Sequence, residues 1–344
     1  MTPRIHGGPD ALGVPRFDFS TNSNACGPCP TALAAVQQAD ARHYPDASYS
    51  QLRLQLAAFH GVDVSRVLLA GSASEFIFRL TAALAQQGGR HVSLPPHSYG
   101  DYAQAAQAWG LGQSATPDCA DLVWACEPSS PLGRAHTTWP QWLIDGDAQP
   151  GARSAALVPA APQGLTSLLL DCAYAPLRLQ GGPSLTPAQR DRVWQLWTPN
   201  KALGLTGVRA AYVIAPFGAQ EWVAMLERLC PSWPVGAHGV AMLQAWVQPG
   251  VQAWLADSLQ TLRDWKARQI SLLQALGWHC LPSEANFFCA RPPAMDALAP
   301  LRRAGIKLRD ATSFGLPGHV RVGVLPPPAQ DALAQACQME CISI

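Results

Sequence analysis

Charge is scarce in this chain and evenly split. Of 344 residues only 14% are Asp, Glu, Lys or Arg, and the net charge is +1. So little charge of one sign leaves no basic stripe to follow a phosphate backbone, and nucleic acid is not an expected partner. Long apolar runs are missing as well. None approaches the roughly 20 residues needed to cross a bilayer, so no membrane partner is expected. The first residues lack the basic-then-apolar pattern of a secretory signal. The ten cysteines are scattered rather than set at framework spacings, which points to reduced thiols and a cytoplasmic location. There is no internal repeat and no low-complexity linker. What is plentiful is apolar material, 48% of residues, enough for a large core divided between two lobes.

The apolar residues are patterned as alternating strands and helices. Residues 51–60 carry Leu52, Leu56 and Phe59 at helical spacing and stop at Gly61. Residues 67–70 read as a short buried strand, after which Gly71-Ser72-Ala73-Ser74-Glu75 opens a helix to about Gln86. Further strands are expected at 91–94, 122–126, 168–170, 193–197 and 210–214, and a long helix at 251–276. A helix is expected to begin near Thr31, and 148–162 reads as loop. Strands alternating with helices imply a mainly parallel sheet. The expected divisions are an N-terminal segment at 1–40, a large domain at 41–250 and a small domain at 251–344.

Three positions in this pattern can carry chemistry. Asp171 ends the apolar run Leu168-Leu169-Leu170, which places a carboxylate at the carboxyl end of a buried strand, where open α/β sheets hold ligands. Lys201 stands between a strand and a glycine-rich turn, and Arg209 follows it. A lysine amine can condense with an aldehyde cofactor, an arginine can neutralise that cofactor's phosphate, and a carboxylate can pair with a protonated pyridine nitrogen. Pyridoxal phosphate has all three groups. The small residues of Gly71–Glu75 add a second phosphate contact, since helix N-terminal amides favour anions.

In order, Asp171-Cys172-Ala173-Tyr174, Thr198-Pro199-Asn200-Lys201 and Gly207-Val208-Arg209-Ala210-Ala211-Tyr212 resemble motifs of the aspartate-aminotransferase-type family of pyridoxal phosphate enzymes. Those motifs are Asp-x-Ala-Tyr, Ser-x-Ser-Lys and Gly-x-Arg-x-Gly-Tyr. The resemblance implies an α/β protein of fold type I, with a mainly parallel central sheet flanked by helices and a smaller α+β domain. It implies Lys201 as the covalent anchor, Asp171 on the ring nitrogen and Tyr174 on the phenolic oxygen. Ser72, Ala73, Ser74, Thr198 and Arg209 would form the phosphate cup, and Tyr99 would stack on the ring. Arg42-His43-Tyr44-Pro45-Asp46 resembles a segment whose tyrosine reaches the neighbouring subunit's phosphate, implying a homodimer with Tyr44 in trans. The sequence departs from the pattern at Ser130, where an asparagine ordinarily bonds the phenolic oxygen, and at Ala211, where glycine is usual. A tuned site rather than a dead one is expected.

Both ends narrow the resemblance. His6-Gly7-Gly8-Pro9, Ser20-Thr21-Asn22-Ser23-Asn24, Ala285-Asn286-Phe287 and the run from Arg309 to Arg321 resemble threonine-phosphate decarboxylases of cobalamin synthesis. This implies conversion of O-phospho-L-threonine to (R)-1-aminopropan-2-yl phosphate. Arg321 would hold the carboxylate and Arg309 the phosphate, with His6 and Asn24 also at the substrate. The alternative is an aminotransferase of the histidinol-phosphate type, which shares the cofactor residues. A non-catalytic protein that keeps the fold is the third reading, with Ser130 as its argument. Cys26-Gly27-Pro28-Cys29 has thioredoxin-like spacing but follows a polar turn instead of a strand. Zinc binding with Cys337 and Cys341 lacks regular spacing and a histidine, so no metal site is expected.

Overall fold

The structure, a computed structural model, describes residues 6–145 and 167–342, so the loop expected at 148–162 lies outside the described residues. In chain order the first strands are β1 (Phe17–Asp18), β2 (Val67–Ala70), β3 (His91–Ser93), β4 (Gly112–Gln113), β5 (Leu122–Cys126), β6 (Ser167–Asp171) and β7 (Trp194–Trp197). They continue with β8 (Ala211–Ile214), β9 (His279–Cys280), β10 (Phe287–Arg291), β11 (Ile306–Lys307), β12 (Arg309–Asp310) and β13 (Val320–Gly323). Seven strands form the central sheet in the order β2-β8-β7-β6-β5-β3-β4. β8 runs antiparallel to both its neighbours, and the other adjacent pairs are parallel. Every residue of β2, β5 and β8 is buried, as a sheet covered on both faces requires.

This topology gathers the site. Strands pointing the same way deliver their carboxyl ends to one edge of the sheet, and the reversed strand β8 begins at that edge. The turns after β2, β3, β5, β6 and β7 and the residues just before β8 therefore meet there.

The flanking helices are set by local chemistry. α1 (Pro30–Gln37) opens with proline, which suits a first helical position. α2 (Ser50–His60) ends at Gly61 with φ of 65°, a left-handed conformation that glycine adopts without a Cβ clash. α3 (Ala73–Gln86) is capped by Ser72, whose hydroxyl accepts from Glu75 N, while the Glu75 carboxylate accepts from Gly71 N at 3.2 Å. That arrangement fixes the turn after β2. α3 buries Phe76, Ile77, Leu80 and Leu84 in a cluster with Leu68, Trp124 and Trp194 of the sheet.

A second, antiparallel sheet has the order β12-β13-β10-β9. The long helix Pro249–Ala275 lies against it. Lys266 donates to Ser283 O and Ala285 O at 2.6 and 2.7 Å, and Gln269 donates to Gly323 O at 3.0 Å. The N-terminal segment is woven into this part, since β1 pairs in parallel with β11 and Gly323 N donates to Phe19 O at 2.7 Å.

Candidate active site

Asp171 is the last residue of β6 and stands opposite Cys126 on β5 and Leu196 on β7. Its carboxylate is 5% exposed and accepts from the Tyr102 hydroxyl at 2.7 Å and from Ala173 N at 2.9 Å. Tyr102 is fixed by stacking on Trp124, with centroids 4.9 Å apart and planes 8° from parallel. Burial raises the Asp171 pKa, and the two hydrogen bonds and nearby Lys201 pull it back. Both donors are neutral, so the carboxylate keeps lone pairs for a cationic N–H, which would favour its charged form.

Lys201 lies in the turn after β7. The turn is clasped from outside by the N-terminal segment: Asn24 N donates to Lys201 O at 2.9 Å and Cys29 N to Leu203 O at 2.8 Å. Gly204 has φ of 70°, and a Cβ there would sit 3.0 Å from Gly27 Cα and Pro28 Cα. Only glycine allows the two segments to close so tightly. Lys201 Nζ sits 5.4 Å from the centre of the Tyr174 ring, and among the described residues it forms no ion pair.

At the same edge, Ser74 Oγ and Tyr99 Oη are 3.1 Å apart. Ser74, Tyr99, Arg209 and His6 line one cleft of about 780 Å³, with the His6 ring 6.4 Å from that of Tyr99. Arg209 is there because β8 is reversed and starts at this edge. Thr198 is buried and its hydroxyl has no partner among the described residues. These features fit pyridoxal phosphate: a buried carboxylate with spare lone pairs, a lysine amine without an ion pair, and an orphaned hydroxyl near a capped helix start and an arginine.

The second sheet supplies the cations. Pairing of β12 with β13 sets Arg309 opposite Arg321, and both are buried, 3% and 7% exposed. Arg321 donates to Ser130 Oγ and to Ser20 O, each at 3.0 Å, and its buried Nε has no partner among the described residues. Arg309 donates to Asp310 O at 2.5 Å and Ser313 Oγ at 2.7 Å. Burial, and then the charge of Arg321, push Arg309 down to about 10. Phe287 connects this pair to the cofactor side, with its ring 4.8 Å from Tyr174 and 5.7 Å from the Arg321 guanidinium. Two buried guanidiniums side by side form a binding place for anions.

Not every expected residue is placed as the sequence suggested. Asn24 does not present its amide to a substrate. Nδ2 donates to Ala202 O at 3.0 Å and Oδ1 accepts from Cys26 N at 3.0 Å, so both ends hold backbone. Asn22, two residues earlier, faces the site instead, with Nδ2 3.4 Å from the Tyr174 hydroxyl. Sequence reasoning passed over it because a polar turn has no periodicity to say which asparagine points inward. Tyr44 stands apart from the other expected residues, 77% exposed and stacked on Trp233 at 4.5 Å. Cys26 and Cys29 are free thiols.

The family model for aminotransferase class I and II matches residues 15–122 and 167–339. A histidinol-phosphate aminotransferase of Jannaschia sp. (strain CCS1) is 29% identical over 334 residues, covering 90% of this chain and 87% of that protein. The structure of histidinol-phosphate aminotransferase from Sinorhizobium meliloti in complex with pyridoxal-5'-phosphate aligns with a TM-score of 0.75. It is 20% identical and covers 98% of this chain and 95% of that one. L-threonine-O-3-phosphate decarboxylase from Porphyromonas gingivalis aligns at 0.74, 20% identical, covering 94% and 99%. With the strand-end constellation and the family match in agreement, the chain belongs to the class I and II aminotransferase family, and its cofactor is pyridoxal phosphate.

Proposed function

We propose that the protein transfers an amino group between a phosphate-bearing amine of the histidinol-phosphate type and a keto acid. This replaces the decarboxylase reading that the two ends of the sequence suggested. The similar proteins with that name support it, and one observation carries it: two buried arginines, Arg309 and Arg321, one aromatic layer from Lys201. Both the phosphate of such an amine and the carboxylates of a keto acid need a cation in turn at one place.

Pyridoxal phosphate, when bound, supplies an electrophilic carbon and an electron sink. Asp171 would pair with its ring nitrogen, Tyr174 would donate to the phenolic oxygen and Tyr99 would cover the ring face. Ser72, Ala73, Ser74, Thr198 and Arg209 would hold its phosphate. Arg321 orients the anionic end of the substrate, with Ser130 fixing one guanidinium nitrogen. Lys201 Nζ would take a proton from the donor carbon that bears nitrogen and, in the second half of the turnover, would deliver one to the keto-acid carbon that gains nitrogen. His6 closes the outer end. In this reading Tyr44 serves the phosphate of a second subunit, making the working form a homodimer.

A second reading also has an observation behind it. Adjacent arginines suit a small substrate that carries a carboxylate and a phosphate together, as O-phospho-L-threonine does. Product analysis separates the two. Purified protein loaded with cofactor is given histidinol phosphate with 2-oxoglutarate, and phosphothreonine with and without it. Glutamate formed only when the keto acid is present supports the proposal. Release of CO2 and 1-aminopropan-2-yl phosphate without a keto acid transfers the protein to the decarboxylases, and silence throughout favours a non-catalytic role.

A further inference from the structure

Asn22 is 2% exposed, and its two amide ends are treated very differently. Nδ2 donates to the Tyr174 hydroxyl oxygen at 3.4 Å, whereas Oδ1 has no partner among the described residues. An unsatisfied buried acceptor is costly, so this amide is held in place by more than local convenience. Its neighbours do the holding. Ser23 O accepts from Asn286 Nδ2 at 3.0 Å, and Asn24 is tied to the Lys201 turn by backbone and side chain. Ser130 is engaged elsewhere, with its oxygen accepting from Arg321 at 3.0 Å.

A phenol oxygen that accepts from an amide N–H must turn its own proton away from that amide. We propose that Asn22 is a positioning residue for Tyr174: by donating to the phenol oxygen it sets the hydroxyl rotor, so that the Tyr174 proton is presented to the cofactor's ring oxygen. At 3.4 Å the bond is long, with room to tighten once the hydroxyl has a second partner. A proton donated to the ring oxygen stabilises its anionic form and lowers the pH at which the bound cofactor titrates. The assignment goes beyond the substrate question and stands for either amino-group transfer or decarboxylation.

The charged and titratable groups around Tyr174 are identifiable and are the same in every variant compared. Lys201 lies over its ring. Asp171 and Cys126, at neighbouring strand ends, interact with Lys201. Arg321, from the second sheet, lies over the ring of Phe287, which itself contacts Tyr174. The holoenzyme is titrated by its visible absorbance, which reads the lysine-bound cofactor without any turnover. Asn22→Ala is expected to raise the midpoint by roughly 0.5–1 pH unit, the worth of one modest hydrogen bond. Tyr174→Phe raises it further, and Asn22→Ala then adds nothing in the Tyr174→Phe background. An unmoved midpoint in loaded Asn22→Ala protein overturns the assignment, and so does an equal rise in the Tyr174→Phe background. Should Asn22→Ala fail to fold, Asn22→Ser, with a hydroxyl too short to reach the phenol, is read by the same criteria.

Discussion

The two sides of the site are finished to different degrees. On the cofactor side, Asp171, Tyr102 and Trp124 form a closed chain of hydrogen bond and ring stack, built on central strands buried on both faces. On the side proposed for the substrate, Arg309 and Arg321 stand on short strands, both buried, and the Arg321 Nε has no partner among the described residues. One side has its carboxylate held by two neutral donors and a ring stack, and the other gathers two buried cations on facing strands. A fixed cofactor can thus serve successive substrates whose common feature is negative charge.

That contrast can be broken in graded ways. The largest effect belongs to Lys201→Ala, which is expected to lower turnover by on the order of 10⁴-fold and to remove the visible band of lysine-bound cofactor. An unchanged band in that variant would remove Lys201 from its role. Arg321→Gln comes next, with kcat/KM for the anionic substrate down roughly 10- to 100-fold from a lost charge-assisted contact. Its cofactor spectrum and cofactor affinity are expected to match wild type, and a weakened cofactor would show that the two sides are not separable. Ser130→Ala releases one Arg321 nitrogen and is expected to raise KM by about three- to tenfold, again without moving the absorbance titration.

The smallest effect concerns acid stability behind the cofactor side. His60 shares a hydrogen bond with the Tyr212 hydroxyl at 2.8 Å, and Trp246 donates to the same oxygen at 3.1 Å. Burial, helped by Arg190, holds His60 down at about 4 against an ordinary 6.5. The folded state therefore resists a proton that the unfolded chain accepts, so stability falls as pH drops from about 6.5 to about 4. In His60→Gln that part of the acid-induced fall in melting temperature is expected to disappear, which urea titrations across the same window also read.

Legibility in the sequence divides along the same line. Strands β2 and β5 occupy the stretches expected for them, because fully buried strands appear as short apolar runs with sharp ends. Asp171, Tyr174, Lys201 and Arg209 could be singled out for the same reason, since the first three follow such a run and Arg209 leads into one. The reversal of β8 was not visible, as an apolar run carries no direction. Strands β4, β9, β11 and β12, two residues each, are too short for any period to show. Consequently the opposition of Arg309 and Arg321, a matter of register between β12 and β13, could only come from the fold. Asn22 and Asn24 differ by which way one turn faces, which depends on partners far along the chain.

The strap formed by residues 20–24 has a consequence for how the molecule comes together in time. Its hydrogen bonds to Ala202, Asn286 and Arg321 span 178, 263 and 301 positions of sequence. Closing such long loops gives up chain entropy before any contact rewards it, so these bonds form late in folding. The turn that carries Lys201 waits on partners far along the chain, so secondary structure is in place well before these segments close around it.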